Sequence, residues 1–135
     1  MNDFNRQVIE EFRANGGKVG GRFAGANMIL LTTTGAKSGE ERVNPVVYFP
    51  FDDRLVVVAS NAGSDRHPSW YHNLKANPDL TVEVGTEKYG ATATEITGPE
   101  RDSLYTRIVE MVPGFGEYQA GTERVIPLFG LTRRG

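Results

Sequence analysis

Apolar residues recur along the chain at helical spacing, in alternation and in unbroken runs, and each pattern predicts an element. Phe4, Val8, Ile9 and Phe12 share one face of a helix that Asn2 or Asp3 can cap and Asn15-Gly16-Gly17 ends. Ile29, Leu30 and Leu31 lead into Thr32, Thr33 and Thr34, a β-branched run suited to a strand. A second strand is expected over Val43 to Phe49, where Pro45 points to an edge, a bulge or an amide-free site facing a ligand. Leu55 to Ser60 is nearly continuous in apolar residues and reads as a central strand. Leu80 to Val84 and Lys88 to Ile96 alternate, joined at Gly85-Thr86. A short helix is expected from His67-Pro68 to the stop at Asn77-Pro78, with Trp70 and Leu74 one turn apart. Gly98-Pro99-Glu100 opens a third helix with an apolar face of Leu104, Tyr105, Ile108 and Met111 or Val112. After the breaker Pro113-Gly114, a helical piece from Phe115 to Ala120 precedes a last strand from Val125 to Leu131, with Pro127 again suggesting an edge.

The resulting order is αβββαββααβ. Short links between consecutive strands favour an α+β fold: about six mostly antiparallel strands closed into a small barrel with flanking helices. Strands and helices do not alternate regularly, and no Gly-x-Gly-x-x-Gly is present, so a doubly wound dinucleotide-binding fold is disfavoured. The 135 residues suit one domain, 1–135, with one substantial core. A formal net charge of −2 gives no overall field for nucleic acid. The absence of cysteine removes disulfides, thiolate catalysis and Cys-ligated metal. No apolar run approaches the ~20 residues of a membrane span, and the first helix is too charged for a signal peptide. A cytoplasmic protein is the expectation, with peripheral membrane contact left open and the oligomeric state unspecified.

Two stretches carry candidate chemistry. The first is the turn between the opening strands, where Gly35 and Gly39 bracket Lys37 and Ser38, with Thr34 before them and Arg42 just after. Two readings stand: a solvated hairpin tip, or an anion-binding corner of two cations, two hydroxyls and turn N–H groups suited to phosphate or carboxylate. It is not a nucleotide P-loop, because Ala36 and Leu31 stand where that motif needs glycine. The glycine-rich loop Lys18 to Gly25, with Lys18 and Arg22, reads as a connector or as a flap over a ligand. The second stretch runs from Ser60 to Pro78: a small polar loop leaves a buried strand and enters the short helix. Trp70 reads as a core anchor or as part of a binding slot. His67 and His72 do not share a helical face and lack a third ligand nearby, so no metal site is expected.

Three pieces together resemble one family. They are Leu-Thr-Thr-Thr-Gly-Ala-Lys-Ser-Gly-Glu-Glu-Arg-Val-Asn-Pro, then Val-Ala-Ser-Asn-Ala-Gly with His-Pro-Ser-Trp-Tyr-His-Asn-Leu-Lys-Ala-Asn-Pro, and finally Tyr118 to Pro127. The chain is similar to the deazaflavin (F420)-dependent nitroreductases of the FMN-binding-like split-barrel superfamily. The resemblance implies a split β-barrel holding coenzyme F420, with FMN as the runner-up cofactor. It implies an oxidoreductase that passes hydride to an electron-poor small molecule such as an enone, quinone or nitroaromatic. A related FMN flavoprotein and a non-catalytic carrier of a flavin-like or fatty ligand are the alternatives. By resemblance, Thr34, Lys37, Ser38 and Arg42 hold the coenzyme's anionic tail. The ring lies along Asn44, Pro45, Val46, Ala59, Ser60, Asn61 and Ala62, with Trp70 and Asn73 beneath. Tyr118 contacts the substrate and supplies a proton or steadies charge, and Ser60 is the other candidate donor. Ala36, Asn61 and Gly121 depart from the residues common in relatives, which bears on tail preference and substrate range.

Overall fold

A computed structural model describes residues 3–21 and 25–134. The elements are α1 (Asp3–Ala14), β1 (Met28–Thr34), β2 (Glu41–Phe51), β3 (Arg54–Val58), α2 (Ser69–Ala76), β4 (Asp79–Val84), β5 (Glu87–Ile96), α3 (Gly98–Met111), α4 (Gly114–Ala120) and β6 (Leu128–Arg133). The six strands close into a barrel in the order β1-β2-β3-β6-β5-β4, every pair antiparallel. This is the α+β barrel that the hydropathy pattern predicts, in the expected element order.

Alternation along each strand divides the apolar residues between two faces. Ile29, Leu31, Val57, Leu80, Val82, Ala91, Ala93, Phe129 and Leu131 fill the barrel, and Trp70 and Leu74 of α2 join the same core. The outward set makes two further clusters. Val8, Ile9 and Phe12 of α1 cover Met28 and Leu30, while Leu104, Tyr105 and Ile108 of α3 cover Phe49, Phe51, Val56 and Leu128.

Several boundaries differ from the sequence reading. Phe4 is 47% exposed, so the buried stripe of α1 begins at Val8. The helix α3 ends at Met111, which leaves Met111 and Val112 exposed beyond Ile108. Pro68 is the N-cap of α2 rather than a residue of its first turn. The last strand starts at Leu128 instead of Val125. Proline has no N–H to give a ladder, and the Pro127 carbonyl instead accepts the Ala59 N–H at 2.9 Å. Arg22, assigned to the glycine-rich loop, lies outside the described residues.

One half of β2 is left open on one side. β2 pairs with β1 along Glu41 to Val47, but with β3 only from Tyr48 to Phe51. The Tyr48 N–H donates to Asn27 at 2.9 Å, so alternation points the nitrogens of Val46, Asn44 and Arg42 toward β1. The Pro45 nitrogen therefore faces away from β1, into the gap. Of the three options that Pro45 raised, the pairing shows the local edge position.

Candidate functional site

Two depressions flank the N-terminal end of α2 and share Ser69 in their walls. The first, of about 450 Å³, is the gap beside β2. Asn44, Pro45, Val46 and Val47 form one wall, Ser60, Asn61 and Ala62 the opposite one, and Trp70 and Pro68 with Tyr118 complete it. We call it the slot. The second, of about 470 Å³, is lined by Gly35, Ala36, Lys37, Ser38, Arg42, His72 and Asn73. We call it the corner.

The slot owes its shape to a left-handed turn at the end of β3. Ser60 is right-handed, whereas Asn61 (φ 47°), Ala62 (φ 54°) and Gly63 (φ 82°) are left-handed. For residues other than glycine this backbone costs about 1–3 kcal/mol each and persists only where the surroundings hold it. Gly63 N–H bonds the Ser60 carbonyl at 2.9 Å and Ser64 N–H bonds the Asn61 carbonyl at 3.0 Å. Among the described residues no protein acceptor takes the N–H of Asn61 or Ala62. A right-handed residue followed by a left-handed one turns successive N–H groups toward one point, a backbone concavity suited to partial negative charge.

Tyr118 closes the slot from α4. Its ring stands edge-on to Phe115 at 5.7 Å, and Phe115 in turn meets Phe49 at 5.8 Å. A side chain at Gly63 would come within 3.1 Å of the Tyr118 ring, so the turn and the tyrosine are in close contact. A buried polar network holds α4 in place. The Arg101 guanidinium donates to the Ile126 carbonyl at 2.9 Å and to Gln119 Oε1 at 2.7 Å, and Gln119 Nε2 donates to the Arg124 carbonyl at 2.7 Å. The Tyr105 hydroxyl donates to the Phe115 carbonyl at 2.6 Å.

At the corner, the turn closes through Gly35 N–H to Glu40 O at 2.7 Å and Gly39 N–H to Gly35 O at 3.0 Å. Asn73 pins it to α2: its Oδ1 accepts the Ala36 N–H at 3.0 Å and its Nδ2 donates to the Thr33 hydroxyl at 3.0 Å. Lys37, Ser38 and Arg42 all line this depression. Arg42 also pairs with Glu40 at 2.9 Å, so part of its charge is already answered within the turn. The corner is thus a cationic surface with one of its cations shared.

The structure sorts the remaining expected site residues. Asn44, Pro45, Val46, Ser60, Asn61, Ala62, Trp70 and Tyr118 meet in the slot. Asn73 belongs to the corner instead, because α2 points it toward β1. Trp70, at 5% exposure, is both a core residue and part of the slot wall. Ala59 lines neither depression; its side chain is buried inside the barrel. Thr34 also lines neither, and it is the adjacent Thr33 that engages Asn73.

A family model described as F420H2-dependent quinone reductase matches residues 4–133. The chain belongs to this family. Within it, the F420H2-dependent quinone reductase Rv1261c of Mycobacterium tuberculosis is 40% identical over 129 residues, spanning 91% of this chain and 85% of the relative. A solved structure titled F420-H2 dependent reductase FDR-A superposes with a TM-score of 0.70 at 42% identity, covering 78% of this chain and 93% of that one. A FAD-binding protein from Mesorhizobium loti, 15% identical with a TM-score of 0.57, shares the fold alone. It covers 96% of this chain and 87% of its own.

Sequence reasoning missed the residues that hold this family member's site together. Arg124 sits just before β6 and reaches across to the turn. Its Nε donates to the Ser64 carbonyl at 2.8 Å, Nη1 to the Ala59 carbonyl at 3.2 Å and Nη2 to the Ser60 carbonyl at 2.7 Å. The same Nη1 lies 3.0 Å from Nδ1 of His67, a slot residue stacked on Tyr71 at 4.0 Å. No local signal marks Arg124 or Thr33, since each acts on partners distant in sequence.

Proposed function

We propose that the chain is an oxidoreductase using reduced coenzyme F420 to reduce a quinone-type acceptor. The observation that carries this is the pairing of two adjoining depressions of different chemistry, joined at Ser69. A flat ring needs a narrow, largely apolar slot with a few directional groups, and an anionic tail needs cations. The residues present fit such a cofactor. Pro45, Val46 and Trp70 supply apolar surface, Asn61 and Ala62 supply open N–H groups, and Lys37, Ser38 and Arg42 supply the cationic end. When bound, the reduced deazaflavin supplies a hydride.

The chain's residues would then work by position. The open N–H groups of the turn would hold a carbonyl edge of the ring and fix its orientation. The Tyr118 phenol, which lines the slot beside Gly63, would donate to the acceptor's oxygen and deliver or steady its proton, with the Ser60 hydroxyl as the alternative donor. The slot walls hold the acceptor against the ring and keep water out.

Parallel absorbance titrations of the protein with coenzyme F420 and with FMN test the reading. Tighter binding of F420, followed by quinone-dependent oxidation of its reduced form, is the expected result. A preference for FMN would overturn the cofactor assignment, and tight F420 binding without turnover on any quinone would favour a carrier.

A further inference from the structure

His67 is absent from the residues assigned to the coenzyme so far, yet it lines the slot and its two ring nitrogens stand in different environments. Arginine has only donors, so the 3.0 Å contact with Arg124 requires Nδ1 of His67 to be the acceptor. The ring proton of the neutral form must then sit on Nε2. Among the described residues Nε2 has no protein partner. The stacking on Tyr71 fixes the ring plane, and the edge-on contact with His72 at 5.9 Å borders it on another side.

From this geometry we propose that His67 is a coenzyme-contacting residue that donates an Nε2–H hydrogen bond, and that Arg124 is its positioning residue. The inference rests on the reading of the slot as the coenzyme site. Arg124 does two things at once. It selects the tautomer that leaves Nε2 as the donor, and its bonds to the carbonyls of Ala59, Ser60 and Ser64 hold the neighbouring left-handed turn. A single guanidinium therefore sets the donor and the N–H concavity in register. A lysine could not reproduce this, because a compact ammonium lacks the planar fork.

The charges around the ring agree. Arg124 approaches from the segment before β6, His72 and Tyr71 from α2, and Glu95 from β5, where Lys75 binds it at 2.8 Å. Desolvation first, then the positive charge of Arg124 and the proximity of His72, lower the His67 pKa, with Glu95 opposing them. The shift favours the neutral ring, which keeps a donor at one nitrogen and an acceptor at the other.

Two substitutions separate the ring's two ends. His67→Asn keeps an acceptor oxygen near the Nδ1 position for Arg124 and removes the Nε2 donor; His67→Gln keeps a donor and removes the acceptor. With only two histidines in the chain, imidazole nitrogen NMR of the free protein resolves the tautomer directly. The expected spectrum shows protonated Nε2 and bare Nδ1 for His67, changing to mixed tautomers in Arg124→Gln. Coenzyme F420 affinity should fall about tenfold in His67→Asn, with melting temperature and the acceptor's KM unchanged. A wild-type Nδ1–H tautomer overturns the proposal, as does His67→Asn binding F420 like wild type, or a change confined to the acceptor's KM. If the wild-type protein does not bind F420, the reading of the slot fails instead, and the NMR result still stands by itself.

Discussion

The slot and the corner share Ser69 and would hold two ends of one ligand, yet they are built in opposite ways. The corner is local: a turn between paired strands carries Lys37, Ser38 and Arg42 within a few residues, and among the described residues Asn73 supplies its hydrogen bonds to α2. The slot is assembled from β2, the turn after β3, the start of α2 and α4, and Arg124, Gln119 and Arg101 hold those parts together across the barrel. A local device with exposed charges can change without disturbing the core. A device built on long-range buried bonds cannot, because each lost partner leaves a desolvated group unpaired, at about 1–3 kcal/mol. Loss of the exposed cations of the corner should therefore act on affinity and salt dependence, whereas loss of a buried bond, in the slot or at Asn73, should also cost stability.

The largest expected effect is at Tyr118. Tyr118→Phe keeps the contact with Gly63 and Phe115 and removes the hydroxyl, so turnover with saturating coenzyme should fall by roughly 10²-fold. Coenzyme affinity and melting temperature should stay put; if turnover also holds, the ring only packs and the proton comes from elsewhere. Next is Asn73→Ala, which strips the Thr33 hydroxyl and the Ala36 N–H of their partner in a site only 7% exposed. Melting temperature should drop by several degrees and F420 affinity by tens of fold. This tests whether Asn73 holds the corner to α2, and a loss of affinity without any loss of stability would refute it.

Lys37→Ala should weaken F420 about tenfold, the value of one charge-assisted bond of about 1.5 kcal/mol, and the deficit should shrink at high salt. Arg42→Ala should cost only two- to threefold or so, because Glu40 already shares that guanidinium. Equal losses at both positions would mean that Glu40 swings away when the ligand arrives. Unchanged affinity in both variants would return the turn to a solvated hairpin tip.

The smallest effect concerns pH. His67 titrates below its ordinary value of 6.5 in the folded chain, so the unfolded chain takes up its proton first as pH falls. Stability from this group is complete above about 6.5 and declines as pH drops through the interval down to the folded value. Denaturant titrations across that interval should show the slope in wild type and a flatter response in His67→Asn. An identical slope in both would place its origin elsewhere.

How much of this was legible in the sequence follows the same division. The corner could be read directly, because glycines, cations and hydroxyls sit together in one short run. Pro45 announced an edge, and the hydropathy rhythm gave the six strands and their order. Composition marks the loop from Ser60, but Ser60, Asn61 and Ala62 gain a ligand role only through resemblance to a family, since nothing in three small residues declares a left-handed turn. Thr33, His67 and Arg124 were not assigned to the site. Their roles depend on partners 40 to 65 positions away, which only the closed barrel brings together. Val125 to Pro127 has the apolar pattern of a strand, whereas Pro127 delays the ladder and Ile126 serves the α3 cluster.

The gap beside β2 has a consequence for how these molecules behave in a crowd. A strand with an unpaired side is a template on which another chain can add a strand of its own, and exposed edges of this kind are a common start of aggregation. Here the open side runs along Glu41 to Val47, and proline at its middle removes one of the N–H groups that an incoming strand would need. The same residue that would offer a smooth wall to a planar ring thus also weakens this edge as a place for another strand to add. Replacing Pro45 with valine, a good strand former, should leave the barrel intact and raise the tendency to self-associate at high concentration, an effect that filling the slot would suppress.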